Sequence, residues 1–425
     1  MEAAVIEKKE TKLVPKLRFP EFNDNWEKRK LSDFLSFKNG INANKEDYGR
    51  GYKFINILDI INNDYLIYNK IVGQVNISKE IFDKNIVEYG DILFQRSSET
   101  REEVGQSNVY LDKSQNVTFG GFVIRGKRIN DYNPMYMNFL LKTDKARKEM
   151  IAKSGGSTRY NIGQETLKGV QIHMTGFSQE QQKIASFLST IETKIQQLQR
   201  KKELLVQYKK GVMQQVFSQQ IRFKPALSEV EGEDDGSEYP KWEEKRFGDI
   251  GKFIGGGTPS SDIESYWNGN VPWISSSDLD ENSINKISIT RHITNIAIEK
   301  SATKIIPKGS LVIVSRVGVG KFAVAPENLC TSQDFTNLIS DQNTIFLAYY
   351  LSHFKSLLFR LCQGTSIKGF TGKDLGTLKI GLPIIQEQQK IADFLSAIDD
   401  KIDKTVAQIE ITQRFKKGLL QQMFV

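Results

Sequence analysis

Five runs in this sequence have residue types that could do chemistry, and none meets in full the pattern its chemistry needs. Gly318-Val-Gly-Lys321 ends like a phosphate-binding loop, but Phe322 follows the lysine where a Mg²⁺-binding Ser or Thr belongs, and the opening glycine is missing. Phe253-Ile-Gly-Gly-Gly257 matches a short glycine pattern of methyltransferase cofactor sites. Asn133-Pro-Met-Tyr136 is one residue from the Asn-Pro-Pro-Tyr with which amino-methyltransferases hold a flipped base, yet the two runs lie in different halves of the chain. Proline is favoured at a helix start, which accounts for Asn133-Pro134 without catalysis. Glu192-Thr-Lys194 and Asp399-Asp-Lys401 echo the acid-x-Lys of nucleases. Metal-assisted cleavage needs carboxylates converging on one ion, and a lone acid on a helix flank reads instead as a solvated face with helical charge pairs. His173, His292 and His353 lie singly, and Cys330 and Cys362 have no zinc-ligand spacing. No catalytic residue and no metal site is assigned.

Binding chemistry is better represented. Gln95-Arg-Ser-Ser-Glu-Thr-Arg101, Ser154-Gly-Gly-Ser-Thr-Arg-Tyr-Asn161, Gly255-Gly-Gly-Thr-Pro-Ser-Ser261 and Gln363-Gly-Thr-Ser-Ile-Lys368 carry small hydroxyls, the last three with glycines and all but the third with a cation. Backbone N–H groups and hydroxyls position phosphates, while Arg, Asn, Gln, Ser and Thr read base edges. The candidate DNA contacts are Arg96, Ser97, Ser98, Arg101, Arg159, Tyr160, Asn161, Thr258, Ser260, Ser275, Arg316, Lys321, Ser366 and Lys368.

The composition agrees. The 425 residues carry 59 Lys+Arg against 51 Asp+Glu, a net +8, and an acidic island at Ser228–Glu238 masks a still more basic remainder. No apolar run approaches the ~18–20 residues of a membrane span, and the first residues lack a signal-peptide core. A soluble intracellular protein is therefore expected.

The elements that must present these loops follow from an internal repeat. Glu180-Gln-Gln-Lys-Ile-Ala-Ser-Phe-Leu-Ser-Thr-Ile-Glu-Thr-Lys-Ile195 recurs 207 residues later as Glu387-Gln-Gln-Lys-Ile-Ala-Asp-Phe-Leu-Ser-Ala-Ile-Asp-Asp-Lys-Ile402. The same offset carries Tyr208–Phe217 onto Phe415–Phe424, and Trp26-Glu-Lys-Arg-Lys resembles Trp242-Glu-Glu-Lys-Arg. Gly90-Asp-Ile-Leu-Phe-Gln-Arg96 has a loose counterpart in Gly309–Arg316. Apolar residues alternately three and four apart, Ile184, Leu188, Ile191, Ile195 and Leu198, then Ile391, Leu395, Ile398 and Ile402, predict two long helices with coiled-coil seams. Lys202, Lys209, Thr405, Thr412 and Lys416 interrupt those seams, so the simplest arrangement packs one stripe on the other. Ser178 with Gln181 has the pattern of a capping box. Strand-like runs such as Tyr52–Leu58 and Ser310–Val314 alternate with helical stretches at Met135–Ile151 and Thr344–Leu361. The expected fold is α/β: two α/β bodies joined by two long helices in an antiparallel intramolecular coiled coil, with a pseudo-twofold internal repeat. The expected divisions are a tail over 1–21, a body over 22–177, a central helix over 178–222, an acidic linker over 223–238, a second body over 239–384 and a C-terminal helix over 385–425.

Leu17-Arg-Phe-Pro-Glu-Phe22 with Trp26, Gly255–Ser260, Tyr266-Trp-Asn-Gly269, Val271-Pro-Trp-Ile-Ser275 and both Glu-Gln-Gln-Lys-Ile-Ala copies, in this order, resemble the specificity subunit of type I restriction–modification enzymes. The resemblance implies two target-recognition domains, each reading half of a split site in double-stranded DNA. It also implies helices that set the spacing and dock two methyltransferase subunits, with restriction/motor subunits joining that core in the bacterial cytoplasm. S-adenosylmethionine, ATP and Mg²⁺ would then belong to the partners, with no cofactor on this chain. Gln181, Gln182, Lys209, Lys210, Gln388, Gln389, Lys416 and Lys417 are candidates for coil packing and methyltransferase docking. Two rivals stand beside this reading. A stand-alone DNA adenine methyltransferase would bind S-adenosylmethionine itself, and a protein-only coiled-coil scaffold would leave DNA methylation unchanged when either body is deleted.

Overall fold

Each half opens on a strand that follows a tryptophan and closes on a strand that leads into a long helix. In the computed structural model, which describes residues 13–225, 239–364 and 368–425, Glu27–Lys30 pairs antiparallel with Gln171–Met174, and Glu243–Arg246 with Lys379–Leu382. Most of the acidic linker therefore lies outside the described residues. The chain divides into two compact units, one running to Arg200 and including Val406–Val425, the other Lys201–Thr405. Each unit thus holds the start of one long helix and the end of the other.

Within the first unit, a sheet orders Leu35–Asn39, Val123–Arg128, Ile92–Gln95 and Ser107–Val109. A second sheet orders Gln74–Val75, Tyr48–Ile55 and Thr118–Phe119, the last two parallel. The second unit repeats the plan with Lys252–Gly255, Phe335–Ile339, Leu311–Val314 and Phe322–Val324, and with Trp267–Ile274 parallel to Leu329–Thr331. Ile92–Gln95 and Leu311–Val314 are buried at every position, as expected of strands covered on both faces. The helical stretch expected over Met135–Ile151 is two helices, Pro134–Leu141 and Asp144–Lys153, because Thr143 caps the second by accepting from Ala146 N. Thr344–Leu361 divides likewise into Thr344–His353 and Lys355–Arg360. The strand expected over Tyr52–Leu58 stops at Ile55, where Asn56 caps a helix over Ile57–Asn62.

The long helices span Ser178–Phe217 and Ile385–Gln422. The first ends before the expected residue 222, where Gln219 turns the chain out at φ 59°. The capping box expected at Ser178 does not form: Gln181 Oε1 accepts from Asn133 N at 2.8 Å and its Nε2 donates to Thr175 O at 3.0 Å. In the first unit Ile184, Ala185 and Leu188 share a core with Leu419, Met423 and Phe424. In the second, Ile391, Ala392 and Leu395 share one with Val212, Val216 and Phe217. The start of one helix packs on the end of the other in both cases, so the pairing is antiparallel.

Two of the three lysines that interrupt the seams complete it, while Lys202 is exposed. Lys416 pairs with Glu192 in the first unit, and Lys209 with Asp399 at 2.7 Å in the second. At the 207-residue offset these are one interaction formed twice. The environments differ: Asp399 also accepts from the Tyr349 hydroxyl at 2.7 Å, whereas Glu192 lies beside Asp64, which accepts from Gln196 at 2.9 Å. Burial raises the Glu192 carboxyl above the usual range; burial also raises Asp64, but its contacts with Glu192 and Gln196 and the Lys416 and Lys142 charges together hold it below.

Glu180 and Glu387, both fully buried, tie domain to helix. Glu180 accepts from Arg18 Nε and Nη2 at 2.7 and 2.9 Å and from the Trp26 indole at 3.4 Å. Glu387 accepts from Arg222 at 3.2 and 2.6 Å and from the Trp242 indole at 3.2 Å. Arg18-Phe19 and Arg222-Phe223 are therefore a further repeated anchor, and their rings meet Phe187 and Phe394 edge-on. Sequence reading passes over this anchor because it lies before the tryptophan at yet another offset.

Removing a fully buried carboxylate that holds a half-buried guanidinium and an indole N–H should be severe. Glu180→Ala is expected to destabilise the first unit by roughly 3–5 kcal/mol, read as lost amide protection around Trp26 in hydrogen exchange; unchanged protection would contradict this. A second expectation concerns Lys142, which donates to Asp64 O at 2.8 Å and whose ammonium burial pushes down to about 8 from 10.5. The unfolded chain binds more protons between these values, so the first unit should gain stability as pH rises from 8 to 10.5. Denaturation midpoints of the wild type and Lys142→Met across that range check it, the variant showing a smaller rise.

Candidate nucleic-acid interface

The strand ends of each domain deliver a cluster of loops whose main chains are hydrogen-bonded together. In the first unit Ile41 N donates to Phe119 O and Gly121 N to Ile41 O, both at 2.9 Å. Gly120 N reaches Ile55 O at 3.0 Å, and Arg96 N reaches Phe122 O at 2.9 Å. Ser97 and Ser98 pair with Asn161 and Tyr160, so the two loops expected separately around Arg96 and Arg159 form one ribbon. The approach is close: a Cβ on Gly121 would lie 1.9 Å from Asn42 Oδ1. The second unit repeats the connections: Gly257 N to Thr331 O, Ser332 N to Ile274 O, Ser315 N to Asp334 O and Phe370 N to Ser315 O, at 2.7–2.9 Å.

The expected contacts fare differently in this frame. Arg101, Arg159, Arg316 and Lys368 are exposed at loop tips, and their side chains make no hydrogen bond or ion pair among the described residues, so their charges are available to an anion. Arg96 is half-buried and donates to Gly121 O at 3.3 Å. Ser97 bonds Asn161, Ser98 donates to Glu103 at 2.9 Å, and Tyr160 is half-buried in the ribbon. Thr258 bonds Gln333, and Ser260 accepts from Asp262 N. Ser275 is tied to Asp278 and Arg291, and Lys321 lies 3.3 and 3.4 Å from the Ser276 and Leu279 carbonyls. These last side chains shape the loops as built. Ser366 lies outside the described residues. Arg147 supports the ribbon from below by donating to Glu102 O and Val104 O at 3.0 and 2.6 Å, and burial pushes its guanidinium down to about 10.

Matching hydrogen bonds also correct one alignment. Arg96 occupies the place of Ser315, since each amide donates to the turn carbonyl and each carbonyl accepts from Ile162 or Phe370. Arg316 is thus the counterpart of Ser97, because the segment from Gly309 has one residue more before its arginine than that from Gly90. Sequence reading missed the turns Gly120–Phe122 and Ser332–Asp334, whose short apolar flanks read as strand.

Residues 23–206 and 239–413 match the family described as type I restriction modification DNA specificity domain. The chain belongs to that family.

A specificity subunit named MjaIX of Methanocaldococcus jannaschii is 35% identical over 199 residues, spanning 45% of this chain and 46% of that one. A putative MjaX specificity subunit of the same organism is 27% identical over 95% of this chain and 94% of its own length. The fold matches the crystal structure of a type I restriction–modification S subunit from M. genitalium with a TM-score of 0.59 at 18% identity, covering 97% of this chain and 99% of that one.

Within this specificity-family chain the five motif-like runs have structural roles. Asn133 Oδ1 caps Pro134–Leu141 by accepting from Tyr136 N at 3.0 Å, and Tyr136 is fully buried. Gly256 and Gly257 pack where a Cβ would meet main chain at 2.1 and 2.5 Å. Lys321 faces carbonyls, and Glu192 and Asp399 lie in the helix seam. Among the described residues no group of three or more His, Cys, Asp or Glu is placed to hold a metal, and no helix is long and apolar enough to cross a membrane. Gln181 and Gln388 are buried against Asn133 N and Asn343 N, while Gln182 and Gln389 are exposed and accept from Asn133 Nδ2 and Asn343 Nδ2. Lys209 and Lys416 lie in the seam pairs, and Lys210 and Lys417 are exposed beside them.

The hairpin carrying Arg159 depends on Gly156, at φ 126° with Arg159 O 2.0 Å from any added Cβ. Gly156→Ala should cost about 1–3 kcal/mol locally. The Gly155 and Asn161 amides, which pair across the hairpin, should lose hydrogen-exchange protection while Ile92–Gln95 keeps its own.

Proposed function

We propose that this chain is the non-catalytic DNA-recognition and assembly subunit of a type I restriction–modification complex acting in the cytoplasm. Each loop cluster reads one half of a split, asymmetric site in double-stranded DNA, and the long helices set the spacing and dock two methyltransferase subunits. Restriction/motor subunits join that core, and S-adenosylmethionine, ATP and Mg²⁺ act on the partners.

One observation carries this reading: two domains share a main-chain frame and present different side chains on it. Arg96 stands where Ser315 stands, Ser97 where Arg316 stands, and Phe122 where Asp334 stands. A frame conserved between the halves with an altered reading edge is what two unlike half-sites demand. Free cations at the tips of both clusters add the phosphate attraction that any duplex binder needs.

The test is recognition by the assembled complex. Arg159→Ala and Arg316→Ala should each cost ~1–3 kcal/mol and relax one half-site only, read from a randomised duplex library and from the methylation map of a host expressing the partners. Equal weakening of both half-sites by one substitution would overturn independent readout. A methylation map unchanged by loss of the chain would overturn the role itself.

A further inference from the structure

The turn between Thr118–Phe119 and Val123–Arg128, beside Arg96, carries an apolar group that the fold does not use. Phe122 is 61% exposed, while Phe119 and Val123 on either side are buried. Its ring makes no aromatic contact among the described residues. The backbone beneath it is fixed, with Val123 N donating to Gly120 O at 2.8 Å and Arg96 N to Phe122 O at 2.9 Å. A large ring held out on a rigid turn marks a contact surface when it sits inside a binding cluster. In the second unit the same main-chain place belongs to Asp334, half-buried, with Ser332 Oγ 3.4 Å from its Oδ2 and no cation in ion-pair reach among the described residues. Neither residue is explained by packing or by charge pairing, and both lie where the loops converge.

Resting on the DNA reading above, we propose that this turn is a matched specificity determinant with opposite chemistry in the two domains. Phe122 contacts the 5-methyl group of a thymine in one half-site. Asp334 accepts from the exocyclic amino group of a cytosine in the other. Apolar contact with the thymine methyl and carboxylate acceptance from cytosine N4 are the major-groove readouts these two groups can supply. Arg96 and Arg316 are attached to the same two turns through their main-chain amides.

The experiment uses the chain assembled with its methyltransferase partner and a randomised bipartite duplex library. Wild type should enrich one split site. Phe122→Ala should flatten the base preference at one thymine position of one half-site, and Asp334→Asn at one cytosine position of the other. Replacing that thymine by uracil, which removes only the methyl, should weaken wild type by about fourfold, the worth of one buried methyl group, and leave Phe122→Ala indifferent. Melting temperatures should match the wild type, because the Phe122 ring is exposed and Asp334→Asn keeps the shape of its half-buried side chain and an acceptor for Ser332 Oγ. An unchanged base preference, or a uniform loss of affinity as from a wedge between base steps, would overturn this inference while the split site survives. If the wild-type complex enriches no split site, the DNA reading itself fails.

Discussion

A buried carboxylate holds each domain to its helix, and the rest of the architecture depends on it. Glu180 and Glu387 have no exposure, and each takes a bidentate guanidinium and an indole N–H from segments remote in sequence. An ion so placed is tolerable only with partners that satisfy its lone pairs, and here three donors do so. The following glutamine, Gln181 or Gln388, extends the joint by binding the main-chain N–H of the residue that caps the next domain helix. A domain fixed in this way cannot swivel freely on its helix, so the direction in which its loops point is set by the helix start.

On that base the chain uses one frame twice. Parallel pairing of Tyr48–Ile55 with Thr118–Phe119, and of Trp267–Ile274 with Leu329–Thr331, brings strand ends to the same place, and close glycine contacts let the loops interlock. Main-chain bonds hold the frame, which leaves the tips free to vary without loss of the fold. Hence the first domain can offer Phe122 where the second offers Asp334. The helices follow the same economy. The Lys416–Glu192 and Lys209–Asp399 pairs are one contact made twice, tuned by Asp64 in one unit and the Tyr349 hydroxyl in the other.

Much of this is legible in the sequence. The duplicated Glu-Gln-Gln-Lys-Ile-Ala segments, the three-and-four apolar spacing and the two tryptophan anchors announce two similar halves and two long helices, because a helix seam and a buried motif tolerate few residue types. The cations at Arg101, Arg159, Arg316 and Lys368 were also accessible, since glycine-rich polar runs between apolar segments must lie in surface turns. Harder to see were Phe122 and Asp334, which differ in every chemical respect and share only a hydrogen-bonding position. Such equivalence has no trace in residue type.

The sequence by itself determined the duplicated layout, the helical periodicity and the presence of exposed basic loops, because each depends on local spacing and on what must be buried. Tertiary structure alone decided which candidates are free and which are engaged. Ser98, Ser275 and Lys321 are bonded to Glu103, Asp278 and the Ser276 and Leu279 carbonyls, while the arginines at the tips remain open. It likewise decided that Arg96 corresponds to Ser315 and that seam lysines find acids on the opposite helix. These are contacts between residues tens to hundreds of positions apart, and their energies depend on distance and burial that no local pattern encodes.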